Sequence, residues 1–182
     1  MTDSAPLPPS NPRAHRSREF SERLRHGHRE LGTTDPRVLD AIEMVTNLTR
    51  LDARLVQDFE RYAHRPLGLT WAGFRILNAL WAFDGLSQQE ISRISGFTSR
   101  QSVSSALETL ENRGLVARER AEGDRRKLVV QLTPTGLDTL QKAIVAQTRR
   151  EQAWTAVLRD DQLSELVHLL RILVEQDSPP PG

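Results

Sequence analysis

Cysteine is absent from the 182-residue chain, which excludes disulfides, thiolate nucleophiles and thiol redox sensors. Lysine is nearly absent too. Only Lys127 and Lys142 occur, so positive charge rests almost wholly on arginine. Neither sign of charge dominates: 25 Lys and Arg oppose 24 Asp and Glu, for a net +1. That balance excludes a protein basic over its whole surface, and any polyanion site must be a local patch. No apolar run is long enough to span a bilayer. The N-terminus lacks the charged-then-apolar layout of a secretory leader. A cytoplasmic location with no membrane partner is therefore expected. No Ser-His-Asp set, phosphate loop or paired-carboxylate arrangement stands out, and an enzyme is not expected. His26-Gly27-His28, with His15 or Glu30 nearby, falls short of the four well-spaced ligands of a structural zinc site. Neither a metal nor a cofactor is expected.

What is present is concentrated between residues 87 and 136. Ser87 and Glu90 make an S-x-x-E capping box, followed by Ile91 and Ile94 on one helical face. Gly96 supplies the left-handed residue that ends a helix. Thr98 and Gln101 repeat the capping pattern and start a second helix, with Val103, Ala106, Leu107 and Leu110 as its apolar face. Arg113-Gly114 closes it. Two short helices around a Gly-containing turn match a helix-turn-helix. The period then changes. Residues 115–120 and 127–132 read as two short strands joined by the charged loop 121–126, longer than two residues. Thr133-Pro134 is a cap followed by Pro at the first helical position. The fold class expected is mainly α with a small β-hairpin wing, a winged helix-turn-helix over residues 70–133.

Long helices flank this unit. Residues 1 to about 16 lack periodicity, and a short helix is possible over 17–31. From Asp35-Pro36, the residues Val38, Ile42, Val45, Leu48, Leu51, Leu55, Phe59 and Tyr62 form a stripe that predicts a helix over 36–64. Thr70 caps a helix carrying Phe74, Leu77, Leu80 and Trp81 and ending near Asp84-Gly85. Further helices are predicted over 134–158 and 161–176. The last is capped by Asp160 or Asp161 and carries Leu163, Leu166, Leu170 and Leu173, with His168 as a packed or interfacial residue. The tail 177–182 is expected to be disordered. So much amphipathic surface points to a second copy of the chain as partner, making the flanking helices a dimerisation layer. The competing reading packs the first long helix on the last two within one chain.

The second helix of the helix-turn-helix presents Ser99, Arg100, Gln101, Ser102, Ser104 and Ser105, with no acid from Thr98 to Leu107. Small hydroxyl side chains suit a major groove. Arg and Gln can pair with guanine and adenine edges, and serines can bond phosphates or bases. The hairpin adds Arg118, Asp124, Arg125, Arg126 and Lys127. An arginine there can enter a narrow minor groove, with Asp124 orienting it. A solvated polar face and a locally ion-paired loop are the competing readings.

The run GLVARERAEGDRRKLVVQLTPTG resembles the MarR family signature, in which GLV, a wing DRR and LTxxG follow the recognition helix. The resemblance covers roughly residues 36–176, with 1–35 exceeding the family's usual length. It implies a homodimer of winged-helix lobes, with 36–64, 134–158 and 161–176 as the dimer layer. It also implies binding to a pseudopalindromic double-stranded DNA operator, usually as a repressor. Asp124 and Arg126 would be the wing pair, Arg126 the minor-groove finger, and Arg125 a phosphate contact or ion-pair partner. Family members often release DNA on binding a small aromatic or phenolic effector. His64, Arg65, Trp71, Phe74, Arg75 and Asn78 are the candidate effector positions, against ordinary core packing of the aromatics and a solvated polar face. The alternative function is a winged-helix module for protein–protein contact, which would need an apolar or acidic recognition face.

Overall fold

The computed structural model describes residues 12–96, 100–121 and 124–176, without the side chains of 12–15, 100, 121 and 124–127. The Thr98 cap, Ser99, Glu122-Gly123 and the tail from 177 lie outside the described residues. The chain divides into two compact units, Met1–Leu55 and Val56–Gly182.

The first unit holds α1 (Pro12–Glu30) and most of α2 (Pro36–Phe59). Helix α1 begins at Pro12, earlier than the sequence suggested; proline's fixed φ suits a first helical position. Asp35 caps α2 as expected, its Oδ1 accepting from the Arg37 N–H at 2.8 Å. Polar contacts hold α1 against α2. Arg25 Nη1 donates to Asp40 Oδ1 and Glu43 Oε2, both at 2.7 Å. The Arg50 guanidinium lies 4.6 Å from the Phe20 ring centroid. Leu39 is buried, but Val38, Val45 and Leu51 of the apolar stripe are substantially exposed.

The second unit begins with a departure from the expected unbroken helix. Glu60–His64 is a π-helical turn and Arg65–Leu67 a 3-10 turn. Pro66 has no N–H to donate, so the α-helical ladder cannot run through it. Helix α3 (Trp71–Phe83) starts at Thr70, whose Oγ1 accepts from the Gly73 N–H at 3.0 Å, and ends at left-handed Asp84. Phe74, Leu77 and Leu80 are buried as expected; Trp81 instead stands 58% exposed. Helix α4 (Gln88–Ile94) has the Ser87/Glu90 capping box, with the Ser87 N–H donating to Glu90 Oε2 at 2.8 Å. Ile91 is fully buried, whereas Ile94, in the helix's last turn, is partly exposed. Gly96 and Gly114 both take the positive φ that their helix ends require.

Helix α5 (Arg100–Asn112) buries Val103, Leu107 and Leu110 against Leu77 and Leu80 of α3, Ile91 of α4 and Val130 of the hairpin. Strands β1 (Val116–Ala121) and β2 (Asp124–Leu132) pair antiparallel, Val116 opposite Leu132. The strands extend further than expected, and only residues 122 and 123 separate them. The longer loop read from the sequence is corrected by pairing of Ala121 with Asp124, which extends the ladder into residues that looked too charged to pair. The register shifts there. Arg120 pairs with Leu128 and Ala121 with Asp124, so Arg125, Arg126 and Lys127 form a bulge on β2. The whole is a winged helix-turn-helix, mainly α with a small hairpin.

Helix α6 (Pro134–Thr155) is capped by Thr133, whose Oγ1 accepts from the Gly136 N–H at 3.0 Å and donates to Gly114 O at 2.7 Å. It ends before the expected 158. Helix α7 (Asp160–Val174) is capped at Arg159, not Asp160 or Asp161. Gln162 Oε1 accepts from the Arg159 N–H at 3.0 Å, while Asp161 pairs with the Arg159 guanidinium instead. No residue of α7 is buried within the chain, and His168 is exposed.

Gly136 fixes α6 against the hairpin. A Cβ built there would lie 1.9 Å from the Leu115 carbonyl oxygen, which belongs to the backbone and cannot rotate away. Gly136→Ala should therefore destabilise the fold by at least ~1–3 kcal/mol through overpacking. Gly27→Ala in α1, where a Cβ meets nothing within 4 Å, should be neutral or stabilising. Urea denaturation of the two variants checks both; equal midpoints would remove the close approach as a constraint.

Candidate nucleic-acid interface

Burial of Val103, Leu107 and Leu110 fixes the rotation of α5 about its own axis. Gln101, Ser102, Ser104 and Ser105 are exposed as a result. Arg100 is the first residue of the helix. A groove of about 510 Å³ runs beside this face, between Gly68, Thr70 and Gly73 and the side of α5 formed by Gln101, Ser102, Ser105 and Thr109. Thr70 and Thr109 thus join a surface that sequence reasoning had confined to residues 99–105. Thr109 was legible, since it falls four residues after Ser105 on the same face; its Oγ1 bonds to Ser105 O at 2.9 Å. Thr70 needed the packing of α3 on α5.

The hairpin splits the expected set. Asp124, Arg125, Arg126 and Lys127 stand at the far end of β2, their side chains outside the described residues. Arg118 has an intramolecular partner: its Nε donates to Glu111 Oε1 of α5 at 2.5 Å. The pair ties the first strand of the wing to the recognition helix. The acid that pairs with Arg118 sits on a different element from the hairpin.

The six positions proposed for an effector also divide. His64, Trp71 and Phe74 come together as a stack, with His64 4.5 Å from the Phe74 centroid and 5.6 Å from that of Trp71. Glu60 Oε1 accepts from the Trp71 N–H at 2.9 Å. Arg65 is exposed, 3.6 Å from Glu60. Arg75 lies on α3 near Gly96, and Asn78 is exposed away from the stack's buried core.

His64 itself is completely buried. Gln147, which the sequence did not single out, reaches it from α6. Gln147 Nε2 donates to Glu151 Oε1 at 2.7 Å, so its Oε1 is the acceptor for His64 Nε2 at 2.9 Å. That makes His64 a neutral Nε2–H tautomer. Its Nδ1 is then a buried acceptor with no partner among the described residues. Burial holds the imidazole below its ordinary value of 6.5, outweighing the Gln147 bond and the Glu60 carboxylate, which pull upward. An unfolded chain protonates this ring at its ordinary value, whereas the folded chain resists. Stability is therefore retained above pH 6.5 and lost as pH falls through 6.5 toward the lower native value. His64→Leu should flatten the fall in urea midpoint between pH 7.5 and 5.5, and an unchanged slope would remove His64 as its source.

Among the described residues, no group of His, Cys, Asp and Glu is placed to hold a metal ion, and no helix is long and apolar enough to cross a membrane. A family model described as MarR family matches residues 67–127, from the end of the 3-10 turn into β2. A curated relative, the putative transcriptional regulatory protein for the hcr operon of Thauera aromatica, is 29% identical over 140 residues, covering 77% of this chain and 84% of its own. The transcriptional repressor CouR, solved bound to a 23-mer DNA duplex, is 34% identical with a TM-score of 0.63, covering 71% of this chain and 90% of its own. The regulator BpsR of Bordetella bronchiseptica, whose DNA binding is regulated by 6-hydroxynicotinic acid, is 26% identical with a TM-score of 0.64, covering 72% and 93%. Joined to a recognition helix whose outer face is free of acids through Leu107 and to a bulged hairpin, these likenesses place the chain in the MarR family of winged-helix transcriptional regulators, DNA-binding proteins rather than enzymes.

Proposed function

We propose that this protein is a homodimeric repressor that grips a pseudopalindromic operator and lets go when a small aromatic acid binds. The observation that carries the DNA half of this reading is the pairing of two surfaces. One is the exposed Gln101, Ser102, Ser104 and Ser105 face of α5. The other is the backbone bulge on β2, which falls at Arg125, Arg126 and Lys127 near the hairpin's end. Arg100 and Gln101 read base edges in the major groove, the serines contact phosphates or bases, and Arg126 enters the adjoining minor groove beside Asp124. Ser99, the residue before Arg100 in the sequence, belongs to the same proposed set of contacts. Arg118 acts through Glu111 to hold the wing at its angle.

Dimerisation is supported by apolar surface that one chain leaves uncovered. Helix α7 carries Leu166, Val167, Leu169, Ile172 and Leu173 exposed along its length. In the first unit, an open apolar depression of about 550 Å³ is lined by Val38, Ala41, Ile42 and Val45. Both belong to the flanking elements and not to the reading head. A second copy covers them at no cost in specificity, since two copies also double the half-sites read.

The effector half rests on the His64, Trp71 and Phe74 stack. Three flat rings with one unpaired imidazole nitrogen suit an aromatic hydroxyl or carboxylic acid, which opens the stack and donates a hydrogen bond to His64 Nδ1. The same chemical class regulates the relative BpsR.

Selection of bound duplexes from a random pool should return an inverted repeat with half-site centres about one helical turn apart. Affinity should fall steeply as salt rises. Arg126→Ala should weaken binding across many sequences, while Gln101→Ala should relax preference at particular positions by about 1–3 kcal/mol. Unchanged affinity in Arg126→Ala would refute the wing assignment, and a protein that sediments as one subunit would refute the dimer.

A further inference from the structure

The recognition helix is tethered at its C-terminal end by a residue whose sequence position suggested only a helix terminator. Arg113 follows the last residue of α5. A basic residue there ordinarily reaches into solvent and complements the helix dipole. This one turns onto another element. Its Nη1 donates to Gly68 O and its Nη2 donates to Leu67 O at 2.9 Å. The two acceptors are successive carbonyls of the chain that leaves the 3-10 turn, at the junction between the His64 stack and α3.

The fit is specific to a planar fork. Gly68 is left-handed, and a Cβ built on it would lie 3.0 Å from Arg113 Nη2 and 3.2 Å from Cζ. The guanidinium thus occupies the space that a side chain at position 68 would fill. Lysine has the charge but carries its three donors on one compact nitrogen, so it cannot lie flat over Gly68 while reaching the two carbonyls from separate nitrogens. Neither carbonyl is needed by the regular helical ladder of α3, which starts at Thr70.

We propose that Arg113 is a positioning residue for DNA reading: it holds α5 at a fixed angle to residues 67–68, so that Gln101, Ser102 and Ser105 meet base edges in register. The inference rests on the proposed DNA-reading role of α5. The apolar core, the Arg118–Glu111 pair and the Leu115–Leu110 backbone bond hold α5 on α3 and the wing, but none of them ties the helix end to residues 67–68. The Arg113 fork supplies that link. It also makes the junction after His64 mechanically continuous with the reading helix, so displacement of residues 65–69 is transmitted to the helix end.

The test uses the full-length protein with Arg113→Lys and Arg113→Met. Each is titrated against a selected duplex and a scrambled one at fixed salt, alongside urea denaturation. Arg113→Lys should keep its scrambled-duplex affinity and its unfolding midpoint, because the charge remains and the residue is exposed. It should lose about tenfold in preference for the selected duplex, as expected for two weakened charge-assisted bonds. Arg113→Met should lose at least as much preference. Full rescue by lysine would mark a simple phosphate contact and overturn the proposal. So would an equal loss on both duplexes, or no loss at all. If the wild type binds no duplex, the DNA reading itself fails, and the tether is then decided by NMR. Slowly exchanging Arg113 Nη protons support it, and rapid exchange overturns it.

Discussion

The backbone of α6 lies against the backbone of the hairpin at one point, where Gly136 meets the Leu115 carbonyl. Three elements converge there. Leu115 N–H donates to Leu110 O at 3.0 Å, closing α5, and Thr133 N–H donates to Leu115 O at 3.1 Å, closing the hairpin. Thr133 Oγ1 then bridges Gly114 O and the first turn of α6. The recognition helix, the wing and the first helix of the C-terminal arm are thereby fixed to one another by backbone groups. A side chain at position 136 would separate them. The Thr-Pro-Thr-Gly sequence is thus a single device: a cap, a helix start, and a gap for another backbone.

From that anchor the reading surface follows by subtraction. Core burial consumes one face of α5 through Val103, Leu107 and Leu110. Glu111 is taken by Arg118 and the helix end by Arg113. What remains outward is short, polar and free of acids through Leu107, which is the surface a polyanion tolerates at close range. The bulge on β2 has a similar origin. Residues that find no counterpart on β1 are displaced from the ladder, and in this chain they are two arginines and a lysine.

The second unit also contains a part-buried polar node. Asp58 accepts two bonds from Arg150, at 2.8 and 2.9 Å, and the same guanidinium sits 4.9 Å from the Tyr62 ring centroid. This bond to Arg150 holds the Asp58 carboxyl below its usual range. A few residues on, His64 meets Gln147 of the same α6. Two polar contacts, not apolar packing alone, therefore register the end of the long helix and the π turn against α6. Polar registry of this kind has defined geometries and is easier to switch than a packed core.

Local chemistry by itself determined the caps at Ser87, Thr70 and Thr133, the left-handed helix ends at Gly96 and Gly114, and the inward faces of α5 and, apart from Trp81, of α3. These depend on neighbours within a few residues, so the sequence carries them in full. Hairpin existence was equally legible, through the change of period after Gly114. Only the tertiary structure decided the rest. The strand ends moved because cross-strand pairing outweighed charge in the loop. The long helix changed to a π turn after Phe59 and was broken where Pro66 lacks an N–H. Arg118 and Arg113 found partners seven and about forty-five residues away, at Glu111 and at Leu67 and Gly68. Gln147 reached His64 across an even longer stretch of chain. A side chain's partner is set by which elements pack together, and that is a property of the folded chain as a whole, invisible to any short window of sequence.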